Sequence, residues 1–109
     1  MNFRDVVAYV IASDASARVP AVYLSEDLGE EKIVQWKFHL LVRQRPDVWD
    51  RTKYFAPARL TPRDIPSASL LVLGAHDRRL NELPGPEWSV LTVVNDSSGE
   101  PATAILRKN

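Results

Sequence analysis

The sequence predicts a mainly β domain, or an α+β domain with short helices, built as a small barrel or a two-layer sandwich of about six strands. Two observations lead to this fold class. The longest patterned run, Val34 to Val42, alternates apolar and polar side chains, which is typical of a half-buried strand. Elsewhere, short apolar runs are separated by Gly, Pro, Asn and Asp, which favour turns. The length of 109 residues indicates a single domain over residues 1–109.

The first 45 residues are predicted to form a three-stranded antiparallel meander. Asp5 to Ala12 is apolar on both faces, which suits a central strand, and Val19 to Ser25 is the second strand. The Val34–Val42 run then returns after a hairpin connection that contains Gly29. A helix that begins near Ser25 is the alternative for this third element, although its apolar positions would cover about two thirds of the helix circumference.

The second half of the chain is predicted to hold short helical or irregular segments and three more strands. Pro46 to Lys53 is interpreted as one or two helical turns, with Trp49 anchored in the core. Ala75 to Leu83 is interpreted as a loop and a short helical turn. The strands are Ser69–Leu73, Trp88–Val94 and Ala102–Leu106, the last two joined by a hairpin at Asn95–Gly99. This order of elements resembles the chain order of an OB-type barrel, and the residues carry no motif of that family.

The composition indicates an ordinary globular protein of a reducing compartment. The chain has no Cys, so it can form neither a disulfide framework nor a Cys-based zinc site. The apolar run Val6–Ala12 lacks the basic flank and the length of a signal peptide. No run approaches the roughly 20 apolar residues of a membrane helix. We therefore expect a cytoplasmic protein that does not bind membranes.

The charges are unevenly distributed along a chain whose formal net charge is zero. Residues 1–31 have a net charge of −4, residues 32–63 a net charge of +6, and residues 64–109 a net charge of −2. Such a basic segment points to an acidic partner, unless it is neutralised within the fold.

The candidate binding residues are six of the eight cations and one aromatic residue of this basic segment. Basic side chains next to aromatic rings are the combination by which proteins hold single-stranded nucleic acids. If the central run is a strand, Lys37, His39 and Arg43 share one face of it, which is either a solvated outer face or the start of an anion-binding surface. The predicted binding residues are Lys37, Arg43, Arg45, Arg51, Lys53, Tyr54 and Arg59.

Catalytic and metal-binding motifs are not found in the sequence. His39 and His76 have neither the HxH nor the HExxH spacing that brings metal ligands together on one element. The nucleophile motif GxSxG and Gly-rich phosphate loops are missing as well. We therefore predict no catalytic residue, no metal and no cofactor, and an enzyme is disfavoured without being excluded.

Three functional hypotheses follow, in order of preference. The first is a non-enzymatic protein-interaction module or small assembly subunit, which binds a protein partner or a second copy through its sheet edges and the basic segment 32–63. The second is a single-stranded nucleic-acid-binding module that uses the same segment. The third is an enzyme whose site is centred on His39 or His76.

Overall fold

The chain combines helices with strands of four to eight residues. The computed structural model describes residues 3–55, 65–77, 79–96 and 98–109. The helices are α1 (Arg4–Ser16), α2 (Glu30–Val42), α3 (Pro46–Asp50) and α4 (Arg79–Glu82), and a single 3-10 turn covers Glu26–Leu28. The strands are β1 (Val22–Ser25), β2 (Thr52–Phe55), β3 (Leu70–Gly74), β4 (Trp88–Asn95) and β5 (Pro101–Lys108).

The strands form a five-stranded mixed sheet in the order β2-β1-β3-β5-β4. Strand β1 is parallel to both of its neighbours, so that Val22 lies opposite Thr52 on one side and Leu70 on the other. Parallel neighbours need long crossover connections, and residues 26–51 supply the one between β1 and β2. Strand β5 runs antiparallel between β3 and β4. The sheet edges are therefore β2 and β4.

Each face of the sheet carries its own apolar core. On the helix face, α1 and α2 pack on Val22, Val72 and Ile105. On the opposite face, Leu71, Leu73 and Leu106 pack with Ile65 and other buried side chains. Alternate residues of the central strands are thus buried on opposite sides, which explains why Leu70–Leu73 reads as a continuous apolar run.

The predicted strand at Asp5–Ala12 is wrong, because this segment lies within α1. Its apolar residues follow a helical spacing from Phe3 onward: Val6, Val7 and Val10 lie on one side of α1 and are fully buried. A continuous apolar run of this length is compatible with a buried strand or with a buried helix face. The predicted antiparallel meander is therefore also wrong.

The predicted strand at Val34–Val42 is wrong as well, and the helical alternative holds for this segment. Ser25 begins the 3-10 turn, where its hydroxyl accepts a hydrogen bond from the Asp27 amide, and α2 follows from Glu30. The helix ends in a Schellman motif, in which the amides of Gln44 and Arg45 donate to the carbonyls of Leu41 and Leu40. Gln44 takes the left-handed conformation of this motif, with φ 57°.

The α+β alternative of the predicted fold class is confirmed, although α1 and α2, with 13 residues each, are longer than the short helices expected, and the described residues form five strands. The barrel and the sandwich are wrong. Within the described residues the strands belong to one open sheet, which is neither closed into a barrel nor covered by a second sheet. Helices cover one of its faces instead. The resemblance to the order of an OB-type barrel therefore does not extend to the fold.

Elements with strong local signals are where the sequence places them. Strands β1, β3, β4 and β5 overlap the predicted strands, and α3 begins at Pro46 as predicted. The hairpin between β4 and β5 is closed by Asp96, whose carboxylate accepts hydrogen bonds from the amides of Ser98 and Glu100, and Gly99 takes φ 86°. Strand β2 begins at Thr52, inside the segment predicted as helical turns, and ends at Phe55, and residues 56–64 lie outside the described residues.

None of the helices in the described part of the chain has both the length and the hydropathy that a bilayer span requires.

Candidate interaction surface

The inner side of α2 is fixed to the body of the protein. Trp36 and Leu40, one helical turn apart, are fully buried. The Trp36 ring packs edge-on against Phe3 of the segment that leads into α1, with ring centroids 6.3 Å apart. Its indole Nε1 donates a hydrogen bond of 3.1 Å to Oγ1 of Thr52 at the start of β2. The orientation of α2 about its own axis is therefore set by a specific contact as well as by apolar packing.

The outer side of α2 is apolar too, and it is exposed. At about 100° per residue, Val34, Phe38 and Leu41 lie within about 60° of one another, roughly opposite Trp36, and Val42 borders them. The exposed fractions are 61% for Val34, 57% for Phe38, 55% for Leu41 and 62% for Val42. We call these four residues the outer stripe. It accounts for four of the seven large hydrophobic residues that are exposed in the described part of the chain.

Two of the predicted binding residues, Arg45 and Arg51, form intramolecular ion pairs. Arg51 donates two hydrogen bonds, of 2.8 and 3.2 Å, to the carboxylate of Asp14 at the end of α1. Its Nη1 also donates a hydrogen bond of 2.6 Å to the Val19 carbonyl. Arg45 donates to the same carboxylate. Arg45 also donates hydrogen bonds of 3.0 and 3.1 Å to the Asp47 carboxylate of α3, and Arg51 donates one of 2.9 Å to the same carboxylate. We call Asp14, Arg45, Asp47 and Arg51 the ion cluster.

The ion cluster holds its members in their charged forms. Asp14, with 8% of its side chain exposed, has a pKa well below its usual range because Arg51, the Val19 amide and Arg45 all donate hydrogen bonds to it. Hydrogen bonds, chiefly from Arg45, lower the pKa of Asp47 to about 2. The carboxylates in turn raise the pKa of both arginines. Two positive charges of the basic segment are therefore neutralised by nearby carboxylates. The ion cluster also connects the end of α1 to the α2–α3 connection.

Three other residues of the basic segment form a group on the helix side of the sheet. The Lys37 ammonium lies over the Trp49 ring, 5.0 Å from its centroid, at a distance typical of a cation–π contact. Trp49 meets Tyr54 edge-on, with ring centroids 6.2 Å apart. Trp49 is half-buried against the core as predicted, and Tyr54 is 40% exposed. Partial burial raises the pKa of the Tyr54 hydroxyl.

The remaining predicted binding residues do not join this group. Arg43 is exposed at the C-terminal end of α2. Lys53 is exposed on β2, where it points to the opposite face of the sheet from its neighbour Tyr54. Arg59 lies outside the described residues. The structure thus places Lys37 and Tyr54 each against Trp49, and it separates Lys53 from them.

The expectation that Lys37, His39 and Arg43 share a face is wrong, because it depended on a strand. On a helix, Lys37 and His39 project about 160° apart. His39 stands edge-on against the Phe38 ring, with centroids 5.2 Å apart, whereas His76 is exposed in the turn after β3. In residues 3–55, 65–77, 79–96 and 98–109, no three His, Cys, Asp or Glu side chains gather as metal ligands would.

The sheet edges predicted as binding elements are the four-residue β2 and the eight-residue β4. Strand β4 exposes Val90 and Val93, and its pairing with β5 is irregular between Val90 and Thr92. Such an irregularity twists an edge strand and makes further pairing harder. The edge at β4 is therefore a less favourable docking element than the outer stripe.

Sequence reasoning missed the outer stripe, although a signal for it was present. In a helical conformation, the apolar residues of this segment cover about two thirds of the helix circumference, which is more than burial on one side requires. This wide apolar surface is the reason that the sequence favours a strand here. A helix that is apolar on two sides and covered on one is an alternative explanation of the same excess.

No protein-family model, no curated protein and no solved structure matches this chain.

Proposed function

We propose that this chain is a non-enzymatic, cytoplasmic protein-interaction module that binds an apolar helical surface of a protein through the outer stripe of α2. The observation that supports the proposal is the exposure of Val34, Phe38, Leu41 and Val42 as one continuous apolar strip. Contiguous exposed apolar patches mark interaction sites in proteins of this kind. The lack of Cys supports a reducing compartment.

The charges of the basic segment support a protein contact better than a nucleic-acid contact. Arg45 and Arg51 are neutralised by Asp14 and Asp47, and Lys53 lies on the other face of the sheet. Lys37 and Arg43 remain as the exposed cations of α2 in the part of the chain that the structure describes. Lys37 projects about 40° from Leu41 and borders the apolar strip, whereas Arg43 follows the last residue of α2 and projects about 180° from Val34. A cation beside an apolar strip fits the polar rim that surrounds the apolar centre of a protein interface.

Site-specific photo-crosslinking in cells that express the chain tests this proposal. A benzophenone amino acid at Leu41 probes the outer stripe, the same group at Val90 probes the edge strand β4, and Ala12, exposed on α1, is the control position. We expect protein adducts at Leu41 and none at Ala12. The substitution Phe38→Glu should abolish the Leu41 adduct, because it puts a charge into the centre of the apolar contact.

Adducts at Val90 alone would move the interface to the sheet edge. No adduct at either position would contradict an interaction module altogether.

Single-stranded nucleic-acid binding remains a second proposal, supported by the group of Lys37, Trp49 and Tyr54. Lys37 and the partly exposed Tyr54 both contact Trp49, and an exposed aromatic ring with a cation nearby is a platform on which a base can stack. Fluorescence anisotropy with labelled single-stranded DNA and RNA at low salt would test it. Lys37→Ala should then weaken binding while Lys53→Ala, on the other face, should not. Binding that ignores added salt, or that is lost equally in both variants, would contradict it.

A further inference from the structure

We infer that a cavity between α1 and the helix side of the sheet binds a small carboxylic acid with an apolar body, whose carboxylate pairs with Arg107. The cavity has a volume of about 260 Å³. Its walls are the second half of α1 and the segment that follows it, together with residues of β3, β4 and β5. The described residues of α2 do not line it, so this inference goes beyond the proposed function and is independent of the outer stripe.

The helix wall of the cavity carries hydroxyl groups because of their spacing in α1. Tyr9, Ser13 and Ser16 line the cavity at intervals of four and three residues, which places them along one side of the helix. Val6 and Val10, which each stand three residues before a lining residue, are fully buried next to that side. The Ser13 hydroxyl donates to the Tyr9 carbonyl at 3.0 Å, so its oxygen is left as an acceptor. Three hydroxyl-bearing side chains therefore border the side by which α1 packs on the sheet.

The floor of the cavity is apolar. Leu70 of β3 and Val19 are buried, and Leu91 of β4 is partly buried. Pockets for small molecules are typically lined by apolar side chains, with a few polar groups that orient the ligand. A volume of 260 Å³ equals that of roughly nine water molecules in the liquid. The cavity therefore suits a single ring or a short alkyl chain.

Arg107 supplies a positive charge to this cavity. It lies opposite Leu70 in the pairing of β3 with β5, so its side chain is on the same side of the sheet as the apolar floor. Arg107 lines the cavity and is exposed. Its guanidinium makes neither a hydrogen bond nor an ion pair with any other described residue, in contrast to Arg45 and Arg51 of the ion cluster. A guanidinium presents two parallel N–H donors that match the oxygens of a carboxylate.

The last turn of α1 determines where the negative charge of the ligand lies. The carbonyl groups at the end of a helix carry a partial negative charge, which disfavours an anion beside them. Ser16 is the last residue of α1 and lines the cavity on that side. The carboxylate is therefore placed on the sheet side, beside Arg107, and the apolar body lies over Leu70 and Leu91.

Ala68, which also lines the cavity, has an unfavourable backbone conformation. The Ser69 amide donates to the Pro66 carbonyl at 3.2 Å and closes a turn in which Ala68 is the third residue, with φ 71°. Gly is favoured at such a position, because a Cβ makes a positive φ costly. Strained residues of this kind cluster at ligand sites. Ala68 keeps at the cavity wall a methyl group that Gly would lack, which supports a role for it in binding.

An NMR titration that follows the backbone amide shifts of the full chain tests the inference, with phenylacetate as the probe. We expect saturable shifts at Ser13, Leu70 and Arg107 with a dissociation constant of about 0.1 to 1 mM, since the ligand is small. Phenylacetamide has the same shape without the charge, and acetate lacks the apolar body. Each should bind at least about fivefold more weakly. Equal binding of either control would overturn the assigned ligand class, and the lack of saturable shifts at cavity residues would overturn the site.

Two pairs of variants separate the charge from the cavity. Arg107→Gln should weaken phenylacetate binding at least about fivefold and leave phenylacetamide binding unchanged. Its matched control is Arg43→Gln, which removes an exposed charge at the end of α2 and should affect neither probe. Ser16→Phe should fill the cavity and abolish binding of both probes, whereas Ala15→Phe, exposed on another side of α1, should not. An equal effect of Arg107→Gln on acid and amide would overturn the charge pairing. Binding that survives Ser16→Phe would overturn the site.

Ala68→Gly separates a loss of binding from a loss of stability. The midpoint of chemical denaturation should rise, because Gly adopts φ 71° without strain. Phenylacetate binding should weaken about two- to fourfold through the loss of one methyl contact. A substitution that only damaged the fold would lower both quantities, so opposite changes identify a role in binding. An affinity equal to that of the wild type would overturn the role of Ala68 in the site.

Discussion

Leu40 and Leu41 are neighbours in the chain, yet they lie on opposite sides of α2. Leu40 is fully buried against the core, and Leu41 is 55% exposed in the outer stripe. The same residue type is used once to hold the helix onto the sheet and once to present an apolar surface to the outside. This division of one helix into a packing side and a presenting side is the basis of the proposed function.

Leu40→Ala and Leu41→Ala are therefore expected to differ sharply in stability. Removing Leu40 leaves a cavity in the core, which costs about 2 to 5 kcal/mol. Removing Leu41 should change the free energy of unfolding by less than about 0.5 kcal/mol. Chemical denaturation of the two variants makes the comparison. Equal losses in the two variants would show that Leu41 is buried within the monomer.

Asp14→Asn should weaken the ion cluster that connects α1 to the α2–α3 connection. The variant keeps the shape of the side chain but loses the charge that both Arg45 and Arg51 contact, so the expected loss is about 1.5 to 3 kcal/mol at pH 7. Gln35→Glu, a charge change on the surface of α2, is the control and should have little effect. If Asp14→Asn lowers the free energy of unfolding no more than the control does, the ion cluster does not stabilise the fold.

The ion cluster also predicts how stability depends on pH. The pKa of Asp14 is lower in the folded chain than the value of about 3.9 in an unfolded one, so its contribution is complete above that value and is lost as the pH falls through the folded pKa. The wild-type protein should therefore lose stability below about pH 5 more steeply than Asp14→Asn. Thermal denaturation between pH 7 and pH 2 measures both curves. A constant difference between them would contradict the assignment.

Gln44→Gly should stabilise the protein. Gln44 has φ 57° at the end of α2, a conformation that costs a residue with a Cβ about 1 to 2 kcal/mol and costs Gly nothing. After the greater freedom of Gly in the unfolded chain is subtracted, the expected gain is about 0.5 to 1 kcal/mol.

The matched control for this substitution is Gln35→Gly in the middle of α2, which should destabilise by about 0.5 to 1 kcal/mol. Denaturation midpoints of the two variants should therefore move in opposite directions. A loss of stability in both would show that the Gln44 side chain makes contacts that outweigh its conformational cost.

Much of the sheet was predictable from local signals. Strands β3, β4 and β5 are short apolar runs bounded by turn residues. Asp96 and Gly99 specify the hairpin between β4 and β5. Helix α3 has Pro46 at its start. In each case the residues that decide the structure are neighbours in the chain, so their spacing carries the information.

The candidate site was less predictable. The sequence predicted binding residues within 32–63, and two of them, Lys37 and Tyr54, both contact Trp49. The sequence could not separate the exposed cations of this segment from those in intramolecular ion pairs. Asp14 is 31 residues from Arg45 and 37 from Arg51, so nothing local indicates that these charges meet. Only the folded chain assigns the two arginines to internal ion pairs.

By itself, the sequence determined the strands whose signals are local, the turns and the uneven distribution of charge. The tertiary structure decided that Val34–Val42 is a helix, because burial of Trp36 and Leu40 on the sheet satisfies a helical spacing that the alternating pattern concealed. It also decided which apolar residues are left outside. A side chain is buried or exposed according to what packs over it, and the elements that pack on α2 come from distant parts of the chain.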